Sequence, residues 1–309
     1  MPIVLAFGGN ALSPTSSEDG KDEERAEALA AALLLLLPDD SGLVLVHGNG
    51  PQVGNILLRV EETRGRLPVE ALDVLVAETQ GSIGYLLTRA LRNVTQRRQR
   101  RVEIAMIGTQ VEVDGDDPAF GKPTKPIGPF YTTAEGEKLV VKKGWSMVEV
   151  RDRGMRRVVP SPKPRSIIEF HAIADAVRGG SVVVAGGGGG IPVTRNAWGE
   201  LSGVEAVIDK DRTASLMARS LGAVGFVILT EADGVYDGFG TPEQVRFETL
   251  PVSEARRLLA EGKLPAGSMG PKVEAAADYA EAMGQPALIT SVERLTDSLD
   301  GSAGTWVVP

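Results

Sequence analysis

Short apolar runs that end near a glycine recur along the chain, and helical periodicity follows most of them. Three examples are residues 3–7, 43–46 and 182–185, each with a glycine within the next two positions. Continuous runs of β-branched and aliphatic residues that end in a turn signal are typical of buried parallel strands. Four later runs predict further strands, at residues 103–107, 226–229, 287–289 and 306–308.

Strands that alternate with helices predict an α/β fold, here a three-layer αβα sandwich around a mainly parallel open sheet. In such sheets, ligands bind beyond the carboxyl ends of the strands. Because the glycine turns fall at those ends, the pattern also predicts where a binding site lies.

Residues 115–165 depart from this pattern. They carry two proline-rich motifs, KPTKP at residues 122–126 and PSPKP at residues 160–164. A long stretch without clear periodicity favours an inserted lid or subdomain, and a stiff surface excursion without a catalytic role is the alternative. We therefore divide the chain into a first half, residues 1–175, which contains the insertion, and a second half, residues 176–309, within one compact domain.

The composition argues against several kinds of chemistry. The 309 residues contain no cysteine and only two histidines, His47 and His171, which argues against disulfides, thiolate catalysis and a zinc site of several histidines. The net charge of -8 argues against a nucleic-acid partner. No apolar run approaches the roughly 20 residues that span a bilayer, and the amino terminus has the pattern of a strand and not of a signal peptide. We therefore expect a cytoplasmic protein without a membrane partner.

Five consecutive glycines, at residues 186–190, form the strongest candidate for a phosphate site. Glycine lets backbone N–H groups approach a phosphate closely, whereas a tight turn alone usually needs only one or two glycines. We interpret Gly187 and Gly188 as phosphate-binding. The common phosphate motifs are absent, since the chain has no G-x-x-x-x-G-K-[ST], no G-x-G-x-x-G, no H-R-D and no D-F-G. This excludes P-loop enzymes and protein kinases, and it weakens the case for a nicotinamide oxidoreductase.

The placement of lysines is the second signal. Only 10 of the 33 basic residues are lysines, and three of these lie in unusual positions. Lys125 lies between prolines, and Lys210 lies between Asp209 and Asp211. Lys272 begins a helical run, where a cation opposes the helix dipole unless an anion is near. Lysine is a compact charge that can follow a phosphoryl group, and a neighbouring aspartate can hold it in place. The simpler alternative is exposed lysines, with Asp211 acting as a helix cap.

Eight short segments, spread along the chain from residue 7 to residue 272, resemble carbamate kinases, a group within the amino acid kinase superfamily. The segments are FGGNAL (7–12), HGNGPQVGN (47–55), TQGSIGY (79–85), PTKPIGPF (123–130), VVPSPKP (158–164), GGGGIPV (187–193), GVEAVIDKD (203–211) and GSM-x-PK (267–272). The second, fourth and seventh of these are much more specific than glycines shared across the superfamily.

The resemblance implies a nucleotide in the second half and carbamate or carbamoyl phosphate in the first, usually in a homodimer. It implies that Lys210 and Lys272 contact the transferred phosphoryl group and the ATP phosphates and that Asp211 orients them. Lys125 would reach in from the insertion. Positions that match the substrate site are Gly8, Gly9, Asn10, Gly50 and Pro51, and positions that match the nucleotide site are Thr230, Asp233, Tyr236 and Met269.

The implied reaction is a reversible, Mg²⁺-dependent phosphoryl transfer between ATP and carbamate that gives ADP and carbamoyl phosphate. Carbamate is already an anion, so we expect no general base, and the lysines would offset the repulsion between the reactants. Mg²⁺ would be held mainly by nucleotide phosphates and water, without a dedicated protein metal site. Two alternatives stay open, namely another superfamily member that phosphorylates a small carboxylate and a nucleotide-binding sensor without turnover.

Overall fold

The computed structural model describes residues 1–8, 22–34, 41–150, 153–265 and 268–309. Its helices are α1 (Asp22–Leu33), α2 (Gly50–Thr63), α3 (Leu72–Arg97), α4 (Thr133–Lys143), α5 (Phe170–Arg178), α6 (Lys210–Leu221), α7 (Val252–Ala260), α8 (Met269–Met283) and α9 (Leu295–Leu299). None of these helices combines the length and the apolar character needed to cross a bilayer, as far as the described ranges extend.

Seventeen strands accompany these helices in the described ranges. They are β1 (Ile3–Phe7), β2 (Leu43–His47), β3 (Ile104–Met106), β4 (Gln110–Val113), β5 (Lys125–Tyr131), β6 (Met147–Val150), β7 (Gly154–Val159), β8 (Pro164–Ile167), β9 (Val182–Val184), β10 (Ile191–Arg195), β11 (Leu201–Gly203), β12 (Gly225–Thr230), β13 (Tyr236–Asp237), β14 (Val245–Arg246), β15 (Thr249–Pro251), β16 (Ala287–Ser291) and β17 (Thr305–Val308). The seven strands predicted from the sequence are all present, with ends that differ by no more than two residues.

Eight of the strands form the central sheet, in the order β15, β17, β16, β12, β1, β2, β9 and β3. The six from β16 to β3 run parallel, whereas β15 and β17 run in the opposite direction at one edge. The α/β fold with a mainly parallel sheet is therefore confirmed. Strand β15 was not predicted because only its middle residue, Leu250, is buried and it ends in a proline, so the sequence shows no continuous apolar run there.

Alternate residues of the central strands face two different helical layers. In β1, Val4 and Ala6 pack in a core cluster with residues of α5, α6 and α8. Leu5 and Phe7 pack on the opposite face in a cluster with residues of α1 and α3. All four side chains are fully buried, and burial on both faces explains why these strands are apolar without interruption.

Residues 125–150 and 153–159 of the insertion form a small sheet with one helix, and we call this unit the subdomain. Its strands β5, β7 and β6 form a separate antiparallel sheet in that order, and α4 connects β5 to β6. Helix α4 starts with a capping box of Thr132 and Glu135 and ends at Gly144, whose φ of 65° favours glycine. Most residues of its strands are only partly buried, which explains why their periodicity is hard to recognise in the sequence.

A contact between two glycines joins the subdomain to the body. A Cβ atom on Gly54 in α2 would lie 2.0 Å from the Cα atom of Gly128 in β5, so only glycine permits this approach of helix and strand. The start of α2 is also close, because a Cβ atom on Gly50 would lie 3.9 Å from the carbonyl oxygen of Pro126. Lys125, the first residue of β5, therefore lies beside the carboxyl end of β2.

Candidate active site

Three lysines converge on two adjacent aspartates at the start of α6. The Lys210 ammonium lies 3.0 Å from both carboxylate oxygens of Asp211, and the Lys272 ammonium lies 2.9 Å from Asp211 Oδ2. Lys125 reaches in from the subdomain and lies 2.5 Å from Asp209 Oδ2. The structure thus brings together all four residues predicted to be catalytic, and we call these five side chains the lysine–aspartate centre.

The two aspartates divide two tasks between them. Asp209 Oδ1 accepts hydrogen bonds from the backbone N–H groups of Asp211 and Arg212, at 2.9 and 3.3 Å, and so caps α6. Its other oxygen binds Lys125. The alternative that Asp211 is the cap is wrong, because Asp211 lies inside the first turn and its carboxylate binds Lys210 and Lys272.

Both aspartates and Lys210 are buried, whereas Lys125 and Lys272 are partly buried. Burial and neighbouring charges shift the pKa of four of these five groups. Burial disfavours charge on both aspartates, but the lysines outweigh it and lower the pKa of Asp209 and of Asp211, so both remain ionised. Burial, with repulsion from Lys272, lowers the pKa of Lys210 to about 8. Burial acts on Lys272 as well, but the Asp211 carboxylate outweighs it and raises the pKa of that lysine. Three lysines thus face two carboxylates, and this excess of positive charge suits an anionic ligand.

An open cleft of about 900 Å³ adjoins the centre, and Lys272 lines it. Its walls include four more residues predicted to bind substrate or nucleotide: Gly8 after β1, Thr230 at the end of β12, Tyr236 in β13 and Met269 at the start of α8. Asp233 accepts a hydrogen bond from the Tyr236 hydroxyl at 2.6 Å, so it fixes that ring. The carboxyl ends of β1 and β12 meet here, where a parallel sheet places its ligands.

Four more residues are predicted to bind the substrate, and the structure describes two of them. Gly50 and Pro51 form the first turn of α2 and lie beside β5 of the subdomain. Gly9 and Asn10 lie outside the described residues. The part of the chain that is described contains no group of three or more His, Cys, Asp or Glu side chains that could hold a metal ion.

The five-glycine turn after β9 is packed tightly against neighbouring segments. Four of its glycines have positive φ values between 66° and 94°, a range that strongly favours glycine. A Cβ atom on Gly187 would lie 2.2 Å from His47 Nε2, and one on Gly188 would lie 2.3 Å from Asn49 Nδ2. These contacts explain the absence of side chains by close packing inside the protein, so phosphate binding by Gly187 and Gly188 stays a prediction.

Two polar side chains of α3 help to hold this turn. Gln80 donates hydrogen bonds to the carbonyl oxygens of Gly187 and Thr109, at 2.9 and 3.1 Å, and Thr79 accepts one from Asn49 at 2.9 Å. Both α3 side chains are buried. The TQGSIGY segment therefore supports the glycine turn from within the fold.

His47 is a buried imidazole that is neutral near pH 7. Its Nδ1 atom lies 3.0 Å from the carbonyl oxygen of Gly48, which fits a donated N–H hydrogen bond. Burial lowers the pKa of His47 to about 4, against an ordinary value of 6.5. The unfolded chain therefore binds a proton at a pH where the folded chain does not.

We expect acid to destabilise the fold through His47. Between pH 6.5 and pH 4, His47 is mostly protonated in the unfolded state and mostly neutral in the folded state. The free energy of unfolding therefore decreases as the pH falls towards 4. Between pH 7 and pH 5 this amounts to about 2 kcal/mol. Urea unfolding at both pH values should show this loss in the parent and a smaller one in His47→Gln. If that variant does not fold, NMR titration of the parent provides the test, and protonation of His47 above pH 5.5 would contradict it.

Two groups of residues at the site were not predicted. Asp209 is the partner of Lys125, yet in the sequence it is indistinguishable from an ordinary helix cap. Arg153 and Lys263 add cations to the cleft wall, and the Arg153 guanidinium carbon lies 4.1 Å from the centre of the Phe130 ring. Arg153 lies in the insertion, where the sequence pattern offered no means of placing a side chain.

Comparisons with known proteins identify the family of the chain. The model of the amino acid kinase family matches residues 1–291. Carbamate kinase from Thermococcus kodakarensis is 41% identical over 311 residues, with 99% of this chain and 98% of the relative covered. Carbamate kinase from Giardia lamblia bound to citric acid has a TM-score of 0.92 at 36% identity, and the enzyme bound to AMP-PNP has a TM-score of 0.88 at 36% identity. Each of these alignments covers 99% of this chain and 98% of the other.

A parallel αβα sheet with a cationic centre at its carboxyl edge, together with these matches, defines a phosphotransferase. The chain belongs to the amino acid kinase family, and within it to the group of carbamate kinases.

Proposed function

We propose that the chain catalyses reversible phosphoryl transfer between ATP and carbamate, giving ADP and carbamoyl phosphate. The observation that carries this proposal is the convergence of Lys125, Lys210 and Lys272 on two aspartates beside an open cleft. Similarity to carbamate kinases over nearly the whole chain supports carbamate as the phosphoryl acceptor.

The centre suits a reaction limited by charge repulsion. A carbamate oxygen forms a bond to the γ-phosphorus while the bond to the β,γ-bridging oxygen breaks, and no proton has to be removed. Ammonium groups fixed in a desolvated site stabilise the charge on the transferring oxygens. Because Asp211 already holds Lys210 and Lys272 at 2.9 to 3.0 Å, these cations need little reorganisation when the substrates bind.

We assign the nucleotide to the second half of the chain and the small substrate to the first. Support comes from Thr230, Tyr236 and Met269, which line the cleft, and from the related Giardia lamblia enzyme bound to AMP-PNP.

Mg²⁺ would screen the nucleotide phosphates. The described residues are compatible with an ion held by phosphate oxygens and water, because Asp209 and Asp211 are already engaged by lysines. A homodimeric, cytoplasmic enzyme remains the expectation from the family resemblance.

The proposal is tested by measuring ATP formation from carbamoyl phosphate, ADP and Mg²⁺ in a coupled assay. Steady turnover is the expected result. Phosphorylation of a carboxylate such as acetylglutamate without turnover of carbamoyl phosphate would reassign the substrate. Binding of AMP-PNP without any phosphoryl exchange would indicate a sensor.

We propose that the subdomain acts as a lid that delivers Lys125 to the small substrate. Removing this lysine in Lys125→Ala should lower kcat/KM for carbamoyl phosphate by about tenfold or more, since one positioned charge is lost. The ADP affinity should stay within about twofold, because no part of the predicted nucleotide site is changed. Calorimetry with ADP and steady-state kinetics give the two numbers.

Lys163→Ala is the matched control, since Lys163 is an exposed lysine in the same insertion. Melting temperatures should be compared as well, because Lys125→Ala leaves the Asp209 carboxylate without its partner from the subdomain. Equal losses of ADP affinity and catalysis, or unchanged catalysis, would contradict the lid role.

A further inference from the structure

A second cavity lies where the subdomain meets the body. It has a volume of about 700 Å³ and is lined by residues 142–146 and 157–160 on one side and by Glu61, Leu72 and Glu205 on the other. No described residue lines both this cavity and the cleft of the lysine–aspartate centre. Its volume is in the range of small-molecule sites, and we call it the subdomain cavity.

Arg157 brings a partly buried cation to this cavity. Its Nη1 atom is buried and lacks a hydrogen-bond partner in the part of the chain that the structure describes. The guanidinium carbon lies 4.3 Å from the centre of the Trp145 ring, and Trp145 is only 8% exposed. Buried donors in native proteins nearly always have a partner. A guanidinium stacked in this way is well suited to a carboxylate or phosphate, whose oxygens accept its N–H groups in the plane.

Positive charge prevails in the lining of the cavity. Its charged residues are four cations and two carboxylates, namely Arg64, Lys142, Lys143, Arg157, Glu61 and Glu205. Glu61 is already paired with Lys143 at 3.0 Å and with Arg64 at 2.9 Å. Glu205 accepts a hydrogen bond from the backbone N–H of Leu72 at 3.0 Å. Among the described residues, Arg157 and Lys142 are therefore left without an ion-pair partner.

We propose that the subdomain cavity binds a small organic anion. Its carboxylate or phosphate group lies against Arg157 and Lys142, and a flat apolar body packs against Trp145, Leu72 and Val158. The apolar wall is needed because bare anions are strongly hydrated, whereas burial of a ring contributes favourable free energy in addition to the charge.

Occupancy of this cavity affects the position of Lys125. In the pairing of β5 with β7, Arg157 lies opposite Ile127, and Val159 lies opposite Lys125. A ligand that contacts both Arg157 and Leu72 holds this sheet against the body and so favours the contact of Lys125 with Asp209. We expect a bound anion to lower KM for carbamoyl phosphate. This kinetic effect rests on the proposed function, whereas binding does not.

Binding is tested by calorimetry with phenyl phosphate and benzoate, each added to protein that is saturated with AMP-PNP so that the cleft is occupied. At least one probe should bind, and Arg157→Met should weaken that binding about tenfold or more, through the loss of a charge-assisted hydrogen bond. The control is Lys138→Met, which changes an exposed lysine of α4, the helix that also carries Lys142, and this lysine does not line the cavity. This control should keep the parent affinity.

Absence of binding by both probes at millimolar concentration, or equal affinity of Arg157→Met and the parent, would overturn the proposal. Inorganic phosphate that binds as tightly as phenyl phosphate would overturn the stated ligand class. If Arg157→Met does not fold, Lys142→Met replaces it, because this exposed side chain is not needed for packing. Probe binding in a protein that forms no ATP from carbamoyl phosphate would refute the proposed reaction and leave the cavity site intact.

Discussion

Replacing Lys210 with alanine is expected to lower kcat by about a hundredfold or more, as for the loss of one preorganised electrostatic group. The ammonium of Lys210 is held by both oxygens of Asp211 in a buried position, so neither water nor another side chain can easily replace its charge. Steady-state kinetics in the direction of ATP formation, with the melting temperature as a check of folding, provide the measurement.

The pH profile supplies an independent readout for Lys210. Burial lowers its pKa to about 8, and lysine carries its charge below its pKa, so activity that needs this charge is present below pH 8 and lost above it. The profile of kcat/KM reports groups of the free enzyme, so it should fall above about pH 8. Lys210→Arg should move this fall to higher pH. Near-normal turnover in folded Lys210→Ala, or a profile flat to pH 9.5, would remove Lys210 from the mechanism.

The strands and the unusual lysines were predictable because their signals are local. A buried parallel strand can be recognised from five or six consecutive, mainly apolar residues. Residues 3–7 and 225–230 are examples. Lys210 and Lys272 lie at helix starts, where a cation is electrostatically unfavourable unless an anion is close. In both cases the structure places Asp211 as that anion.

The geometry of the centre was not predictable from local pattern. Lys125 pairs with Asp209, which lies 84 residues away in the chain, and only the fold of the subdomain brings the two together. At the glycine turn, the sequence cannot distinguish close packing from phosphate binding, because both require the absence of a Cβ atom. Its contacts with His47 and Asn49 are therefore invisible in a sequence that merely contains five glycines.

Asp211→Asn should impair both folding and catalysis, because Asp211 holds two buried ammonium groups. The carboxylate is only 1% exposed, and removing one partner of a buried ion pair typically costs about 3 to 5 kcal/mol. The loss also changes ionisation. Asp211 raises the pKa of both Lys210 and Lys272, so without it Lys210 should lose its proton below pH 8. At neutral pH, kcat should therefore fall steeply, by an amount comparable to that in Lys210→Ala.

The displaced pH profile separates this role from a merely structural one. In folded Asp211→Asn, the residual kcat/KM should be highest at acidic pH, because Lys210 is charged only at acidic pH in this variant. The decline of kcat/KM should begin at a lower pH than in the parent. Asp175→Asn, at an exposed position on α5, is the control and should keep the parent profile and stability. A variant that loses stability but keeps the parent pH profile would show that Asp211 supports the fold without controlling the charge of Lys210.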